Sequence, residues 1–168
     1  MKKVQRYFLE LNKGDKTSKN FPSTKNFKIV LINKKDFEIN KFFYKQIGSE
    51  HYWRDRLVWP DKEWIEYVKD DNLQTWIIKK NNDLVGFYEN KFHPDKKEFE
   101  LINMGILKEF RGLKLGSILL NHVIEQSFKS NAKRIWVHTC SLDHKYALKN
   151  YEARGFKIFK QEEINFVA

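Results

Sequence analysis

The stretch that most constrains the fold is residues 99–128. A run of strand-forming residues, Phe99-Glu-Leu-Ile-Asn-Met-Gly-Ile-Leu107, passes through Arg111-Gly-Leu-Lys-Leu-Gly116 into a segment with apolar residues at Ile118, Leu119, Val123 and Phe128. The first part has the apolar character of a buried strand and the last the spacing of an amphipathic helix over 117–128. A helix start leaves backbone N–H groups without acceptors and carries the positive end of the helix dipole, so glycines there admit an anion to those donors. Arg111 and Lys114 add charge-assisted contacts to the same anion. The turn therefore points to a phosphate-bearing ligand, although a pair of glycines at a strand–helix junction is also ordinary turn chemistry. It is neither a P-loop, since no Gly-Lys-Ser/Thr follows, nor a dinucleotide fingerprint, since three glycines at that spacing are missing.

The segments around this turn alternate in type. Residues 27–33 are short and β-branched, and are expected to pair with an earlier strand at about 4–11, across a polar loop at 14–24. Phe37, Ile39, Phe42, Phe43 and Ile47 recur at helical spacing, with Gly48 placed to stop that helix, and Pro60-Asp61 opens a second one. The period then changes to two. Residues 73–79 and 84–88 flank the polar turn Asn81-Asn-Asp83 as a hairpin. After the glycine turn and its helix come a strand at 135–139, a short helix at 146–154 stopped by Gly155, and a last strand at 156–159. Strands, two helices, three strands, helix, strand, helix, strand make an α+β sheet with helices on its faces.

Composition limits what this sheet can serve. A chain of 168 residues fits one domain over 1–168, with no internal repeat or linker, and is long enough to bury about two-thirds of its unfolded surface. Its apolar fraction of 41% excludes a disordered chain, and no run approaches the roughly 20 apolar residues of a membrane span. Residues 1–16 lack the continuous apolar stretch of a signal peptide, so the expectation is a soluble, cytoplasmic protein. Cys140 is the single cysteine, which excludes an internal disulfide and agrees with a reducing compartment. The five histidines have no metal-ligand spacing, so no metal is expected. The net charge of +10 would suit a polyanionic ligand, but the lysines are scattered through every segment and speak to solubility and non-specific binding.

Two segments carry a family resemblance. Gly105-Ile-Leu-Lys-Glu-Phe-Arg-Gly-Leu-Lys-Leu-Gly-Ser-Ile-Leu-Leu120 resembles the acetyl-CoA motif of the GNAT superfamily of N-acetyltransferases, a strand followed by Arg/Gln-x-x-Gly-x-Gly/Ala opening a helix. Ala147-Leu-Lys-Asn-Tyr-Glu-Ala-Arg-Gly-Phe156 resembles the same family's second signature, Ala-x-x-x-Tyr-x-x-x-Gly-Phe. The matched core runs over about 76–159. The chain departs from the pattern at Lys114, where the motif has a middle glycine, and at Lys108, where a proline is common. The resemblance implies a mixed, mostly antiparallel sheet of about six or seven strands, splayed between the family's fourth and fifth strands, here 99–107 and 135–139.

It also implies roles. The pantetheine arm of acetyl-CoA would pair with the backbone of Ile106 and Leu107, and its pyrophosphate would sit on the N–H groups of Arg111, Gly112, Leu113, Lys114, Leu115, Gly116 and Ser117. Transfer would be direct, with proximity and proton management supplied by the protein. Tyr151 matches the tyrosine that protonates the departing thiolate. Glu100, or Glu98 on the same strand face, stands where some members keep the base that deprotonates the amine. His144, after Asp143, stands where relatives contact the cofactor arm, while Asp143 could equally cap the following helix. The aromatic stretch with Trp53, Arg54, Asp55, Arg56 and Trp59, facing His138, corresponds to a wall of the acceptor pocket, although the same aromatics could simply pack helices against the sheet. A His138–Cys140 nucleophile is unnecessary for direct transfer. The partner so implied is an amine, as a small molecule, amino acid or peptide, with no specific nucleic acid, no membrane, and a monomeric or homodimeric enzyme. Longer acyl donors, a coenzyme A sensor without turnover, and a basic nucleic-acid module with Trp76, Phe87 and Trp136 as a stacking row are the competing readings.

Overall fold

The structure is a computed structural model that describes residues 1–18, 26–33 and 36–167. In chain order its elements are β1 (Lys2–Asn12), β2 (Lys28–Leu31), α1 (Phe37–His51), α2 (Asp61–Lys69), β3 (Leu73–Lys80), β4 (Asp83–His93), β5 (Glu98–Ile106), α3 (Leu115–Lys129), β6 (Arg134–Cys140), α4 (Ala147–Ala153) and β7 (Lys157–Phe166), with a 3₁₀ turn at Lys108–Phe110. Among the described residues the strands form one sheet in the order β2-β3-β4-β5-β6-β1-β7. Every neighbouring pair is antiparallel except β5 and β6. This is the α+β, GNAT-like sheet that the sequence implies, with β5 and β6 as the family's fourth and fifth strands.

Strand alternation divides the core in two. Consecutive residues Ile77 and Ile78, and Phe87 and Tyr88, belong to different clusters, so the clusters lie on opposite faces. One face packs Leu115, Ile118, Leu119, Leu120 and Val123 of α3 on Leu9, Leu101, Ile135 and Val137. The other packs Phe43 and Ile47 of α1 on Ile77 and Phe87, with the rings of Phe43 and Phe87 stacked 4.9 Å apart. Each fully buried Phe or Leu contributes about 2–3 kcal/mol relative to exposure. Phe87 therefore serves as core, and Trp76 packs against Tyr88 and His122, so these aromatics form no open stacking row.

Three expectations are corrected. Residues 28–31 pair with β3, Lys28 opposite Lys79 through Leu31 opposite Trp76, and not with β1, which lies between β6 and β7 at the other side of the sheet. A short β-branched run identifies a strand but carries no information on its neighbour. Helix α1 does not stop at Gly48; it continues to His51 and is closed by Tyr52 in the left-handed region at φ 60°. Gly48 is needed for close approach, since an added Cβ would lie 2.6 Å from Cβ of Trp53. The last strand extends to Phe166, beyond 156–159, because it zips along β1 from Glu10 to Lys2. The polar loop expected over 14–24 lies partly outside the described residues.

The splay is visible in the register. Strands β5 and β6 pair only from Glu98–Arg134 to Leu101–Val137, while β5 continues to Ile106 against β4 and β6 continues to Cys140 against β1. Beyond Leu101 the two strands part and leave a wedge open in the middle of the sheet.

Candidate active site

The wedge opens a cleft of about 830 Å³. It is walled by the ends of β5 and β6, the turn 110–117, the segment 142–151, the loop 51–56 after α1, and residues of β1 and β7. Its floor has a backbone edge that β6 does not pair with. The N–H of Leu107 donates to the carbonyl of Val85 at 2.8 Å, which makes the facing pair Gly86–Ile106 a non-hydrogen-bonded one. The N–H and C=O of Ile106 therefore turn away from β4, towards the cleft. Leu107 cannot share that role, because its carbonyl also accepts from the N–H of Phe110 at 3.0 Å and the residue lies outside the cleft lining.

At one end of the cleft stands the glycine turn. Gly112 has φ 85°, and an added Cβ there would meet nothing within 4 Å. Lys114 has φ 59° and ψ 24°, the left-handed conformation, which explains why glycine is the family's usual choice at this position. It caps α3 without a side-chain hydrogen bond, so the N–H groups of Leu115, Gly116 and Ser117 have no acceptor from a cap. Ser117 Oγ donates to Asn150 Oδ1 at 2.9 Å and ties this turn to α4. Lys114 and Lys149 line the same end. Arg111 also lines it, but its Nη1 is bound to Glu50 Oε2 at 2.6 Å and its Nε donates to the Ile106 carbonyl at 3.3 Å. That hydrogen bond holds the Glu50 carboxyl below its ordinary range. Leu113 is exposed and outside the lining, and Leu115 is buried in the core, leaving only its backbone for a ligand. Free backbone donors, two lysines and an open strand edge in one cleft fit a ligand with phosphates at one end and amide groups along its length.

Tyr151 lies between this end and the other. It is 7% exposed yet lines the cleft, and burial, with the charge of Asp143 second, pushes its hydroxyl well above the ordinary tyrosine value. The hydroxyl is therefore neutral at pH 7. Asp143 does not cap α4, whose cap residue is Tyr146. Its carboxylate instead accepts from Thr139 Oγ1 at 2.6 Å, the Cys140 N–H at 2.9 Å and Trp53 Nε1 at 3.4 Å, joining both walls of the cleft. His144 accepts the Tyr146 N–H and lines the cleft, and burial, then Arg111 and His51, lower its pKa.

The far end is aromatic. Trp53, Arg54, Arg56 and His138 all reach it, but Trp59 does not, being packed on Trp64 and Tyr67. Arg56 is 8% exposed and committed elsewhere: its Nη1 lies 3.1 Å from Glu89 Oε1, its Nη2 donates to Tyr67 Oη at 2.9 Å, and the Tyr67 ring lies 4.1 Å away. Burial, the largest single influence, would lower the pKa of the guanidinium, but the charges of Glu89 and Tyr67 and the hydrogen bonds to both together raise it. Glu100 is also placed apart. It is paired with His93 at 3.0 Å, and neither it nor Glu98, which is bound to Arg134, lines the cleft. The sequence pattern put the carboxylate on the right strand, but at the end where β5 and β6 are still paired. His138 does line the cleft, and burial, then Arg6, lowers its pKa, so the imidazole is neutral at pH 7. The Cys140 thiol is pushed up by burial, contrary to what a nucleophile needs.

Three residues at this end escaped the sequence reading. Arg6 lines it from β1, a strand without any motif. Glu89 is fully buried and accepts from Arg56, from Asn40 Nδ2 at 2.7 Å and from Asn103 Nδ2 at 2.9 Å. Asn103 in turn lines the cleft from β5. The polar pair Glu89-Asn90 inside an interior strand was the available signal, since such residues stay only where partners meet them.

Residues 37–156 match the family model of the acetyltransferase (GNAT) family, and the chain belongs to that family. Solved structures agree in fold. An aminoglycoside acetyltransferase from an uncultured soil metagenomic sample, in complex with sisomicin, superposes with a TM-score of 0.65 at 11% identity, over 76% of this chain and 86% of that one. The ribosomal-protein-S18-alanine N-acetyltransferase from Escherichia coli gives 0.62 at 17% identity, over 78% and 77%. A predicted acetyltransferase with acetyl-CoA from Clostridium acetobutylicum gives 0.63 at 17%, over 78% and 90%. No curated protein matches the chain significantly. Among the described residues no helix is long and apolar enough to cross a membrane, and no group of His, Cys, Asp or Glu is placed to hold a metal ion.

Proposed function

We propose that the chain is an N-acetyltransferase that moves acetyl from acetyl-CoA directly to a primary amine, acting in the cytoplasm as a single domain, alone or as a homodimer. The observation that carries this reading is the convergence, in one cleft, of the Ile106 backbone edge, the donors at the start of α3 and the buried Tyr151 hydroxyl.

When bound, acetyl-CoA supplies a thioester whose acyl carbon exchanges its bond to sulfur for one to the amine nitrogen. The N–H groups of Gly112 and of Leu115, Gly116 and Ser117, with Lys114 and Lys149, hold its phosphates. Ile106 pairs with its amide arm, and the same backbone edge offers a donor to the carbonyl oxygen as charge builds there. Tyr151 gives its proton to the leaving sulfur. The amine's proton passes to His138 or to water. Glu100, held by His93 outside the cleft, has no part in this scheme.

Thermal unfolding with saturating acetyl-CoA tests the cofactor. At about 100 times the dissociation constant it contributes roughly 2.7 kcal/mol, a rise of several degrees. Thiol release with an amine panel then tests turnover. Binding without release for any amine would favour a coenzyme sensor, and no binding would end the reading.

A further inference from the structure

Resting on that reading, we infer that the acceptor is an amine bearing a carboxylate, an α-amino acid or a close analogue with an apolar or aromatic side chain. The acceptor must enter at the aromatic end, since the glycine turn occupies the other. Two arginines line the cleft there. Arg54, on the loop after α1, lies 4.9 Å from the Phe166 ring and 5.6 Å from the Tyr52 ring, and donates through Nη1 to the Val167 carbonyl at 2.9 Å. Among the described residues it has no carboxylate partner. Arg6, on β1, donates through Nη1 to Glu162 Oε1 at 3.2 Å, while its Nε is buried without a partner. A guanidinium has five N–H donors, so both keep capacity for a carboxylate.

The acids nearby cannot play the opposite part. Glu162 is shared by Arg6 and Lys160, and Asp143 is occupied by three donors, which leaves Asp55 against two arginines. A polycationic amine would find no matching surface. The rings of Tyr52, Trp53 and Phe166 provide an apolar wall beside the arginines. The neutral imidazole of His138 can take the proton that the ammonium must lose before nitrogen forms its bond to the acyl carbon; the leaving sulfur takes the proton of Tyr151, and the second proton that the nitrogen sheds as the amide forms returns to the Tyr151 oxygen through water.

The test uses L-phenylalanine, phenethylamine, which lacks the carboxylate, and spermidine. Each is titrated by calorimetry into the protein saturated with coenzyme A, and each is assayed for thiol release from acetyl-CoA. L-Phenylalanine is expected to bind at least tenfold more tightly than phenethylamine and to be the best acceptor by a similar factor in kcat/KM. The exposed Arg54→Gln variant is expected to raise KM for L-phenylalanine about tenfold and leave that for phenethylamine unchanged. Equal or better binding of phenethylamine or spermidine overturns the inference, as does turnover of none of the three by protein that binds acetyl-CoA. Failure to bind acetyl-CoA overturns the enzymatic reading as well, so the two failures are told apart by the cofactor titration.

Discussion

The glycine-turn end of the cleft presents backbone to its ligand, whereas the aromatic end presents side chains drawn from distant parts of the chain. At the first, residues 106–117 are contiguous, and the donors exist because a strand runs into a helix through left-handed residues. At the second, Arg6, Trp53, Arg54, His138 and Phe166 come from β1, a loop, β6 and β7, and are assembled only by the sheet order. A contiguous backbone device is written locally and, on the proposed reading, would serve any coenzyme A ester. A side-chain device can be exchanged residue by residue, so acceptors can diverge while the donor site persists.

Tyr151 belongs to neither end alone, and Tyr151→Phe gives the largest expected effect. Loss of the proposed general acid should lower kcat about 100-fold or more while calorimetry shows unchanged acetyl-CoA affinity. An unaltered kcat would mean that water protonates the thiolate and that the junction between the ends is only packing.

The aromatic end rests on a buried ion pair, which Glu89→Ala should expose. Arg56 would be left charged and desolvated, and removing one partner of such a pair costs about 3–5 kcal/mol. Urea denaturation would register this as a lower midpoint with a nearly constant slope. A loss below about 1 kcal/mol would show that the aromatic rings around Arg56 hold that end without the carboxylate.

This contrast also sets what was legible in the sequence. The turn 111–116 and the Tyr151 signature could be read because their function depends on local backbone form and spacing. Strand and helix identities followed from periodicity for the same reason. The partner of β2 could not be read, because pairing is fixed by the whole sheet. Period-two alternation tells the face on which Glu100 lies and not whether the strands have already parted, and Glu100 stands where β5 and β6 are still paired, outside the cleft lining. Arg56 looked like an acceptor ligand because nothing near it in sequence announces Glu89, its partner from β4.

Both ends carry a histidine held below its ordinary pKa by burial first: His144 at the turn and His138 opposite, with His122 behind the sheet. Their folded pKa values lie below the unfolded value of about 6.5, so as pH falls through that value the unfolded chain binds protons first. Stability should be fully present at neutral pH and decline from about pH 6.5 downwards, before most carboxylates titrate. Urea midpoints at about pH 7.5 and about pH 5.5 would check this, and His138→Gln should flatten part of the slope. A midpoint that held or rose on acidification would contradict the assigned burial of these imidazoles.

The smallest expected effect separates backbone from side chain within the turn itself. Lys114 holds a left-handed conformation that costs a side-chain-bearing residue roughly 1 kcal/mol and glycine almost nothing. Lys114→Gly should therefore raise the melting temperature by about 2–4 °C without ligand. The backbone donors keep their places, because residue 114 is already in the conformation glycine favours. Any change in acetyl-CoA affinity then reports the lysine's charge alone. Weaker binding despite greater stability would explain the departure from glycine, a local strain retained because the ammonium meets a phosphate. Unchanged affinity would mean that the side chain faces solvent and that the turn binds through its backbone, and a lower melting temperature would contradict the left-handed geometry from which the prediction starts.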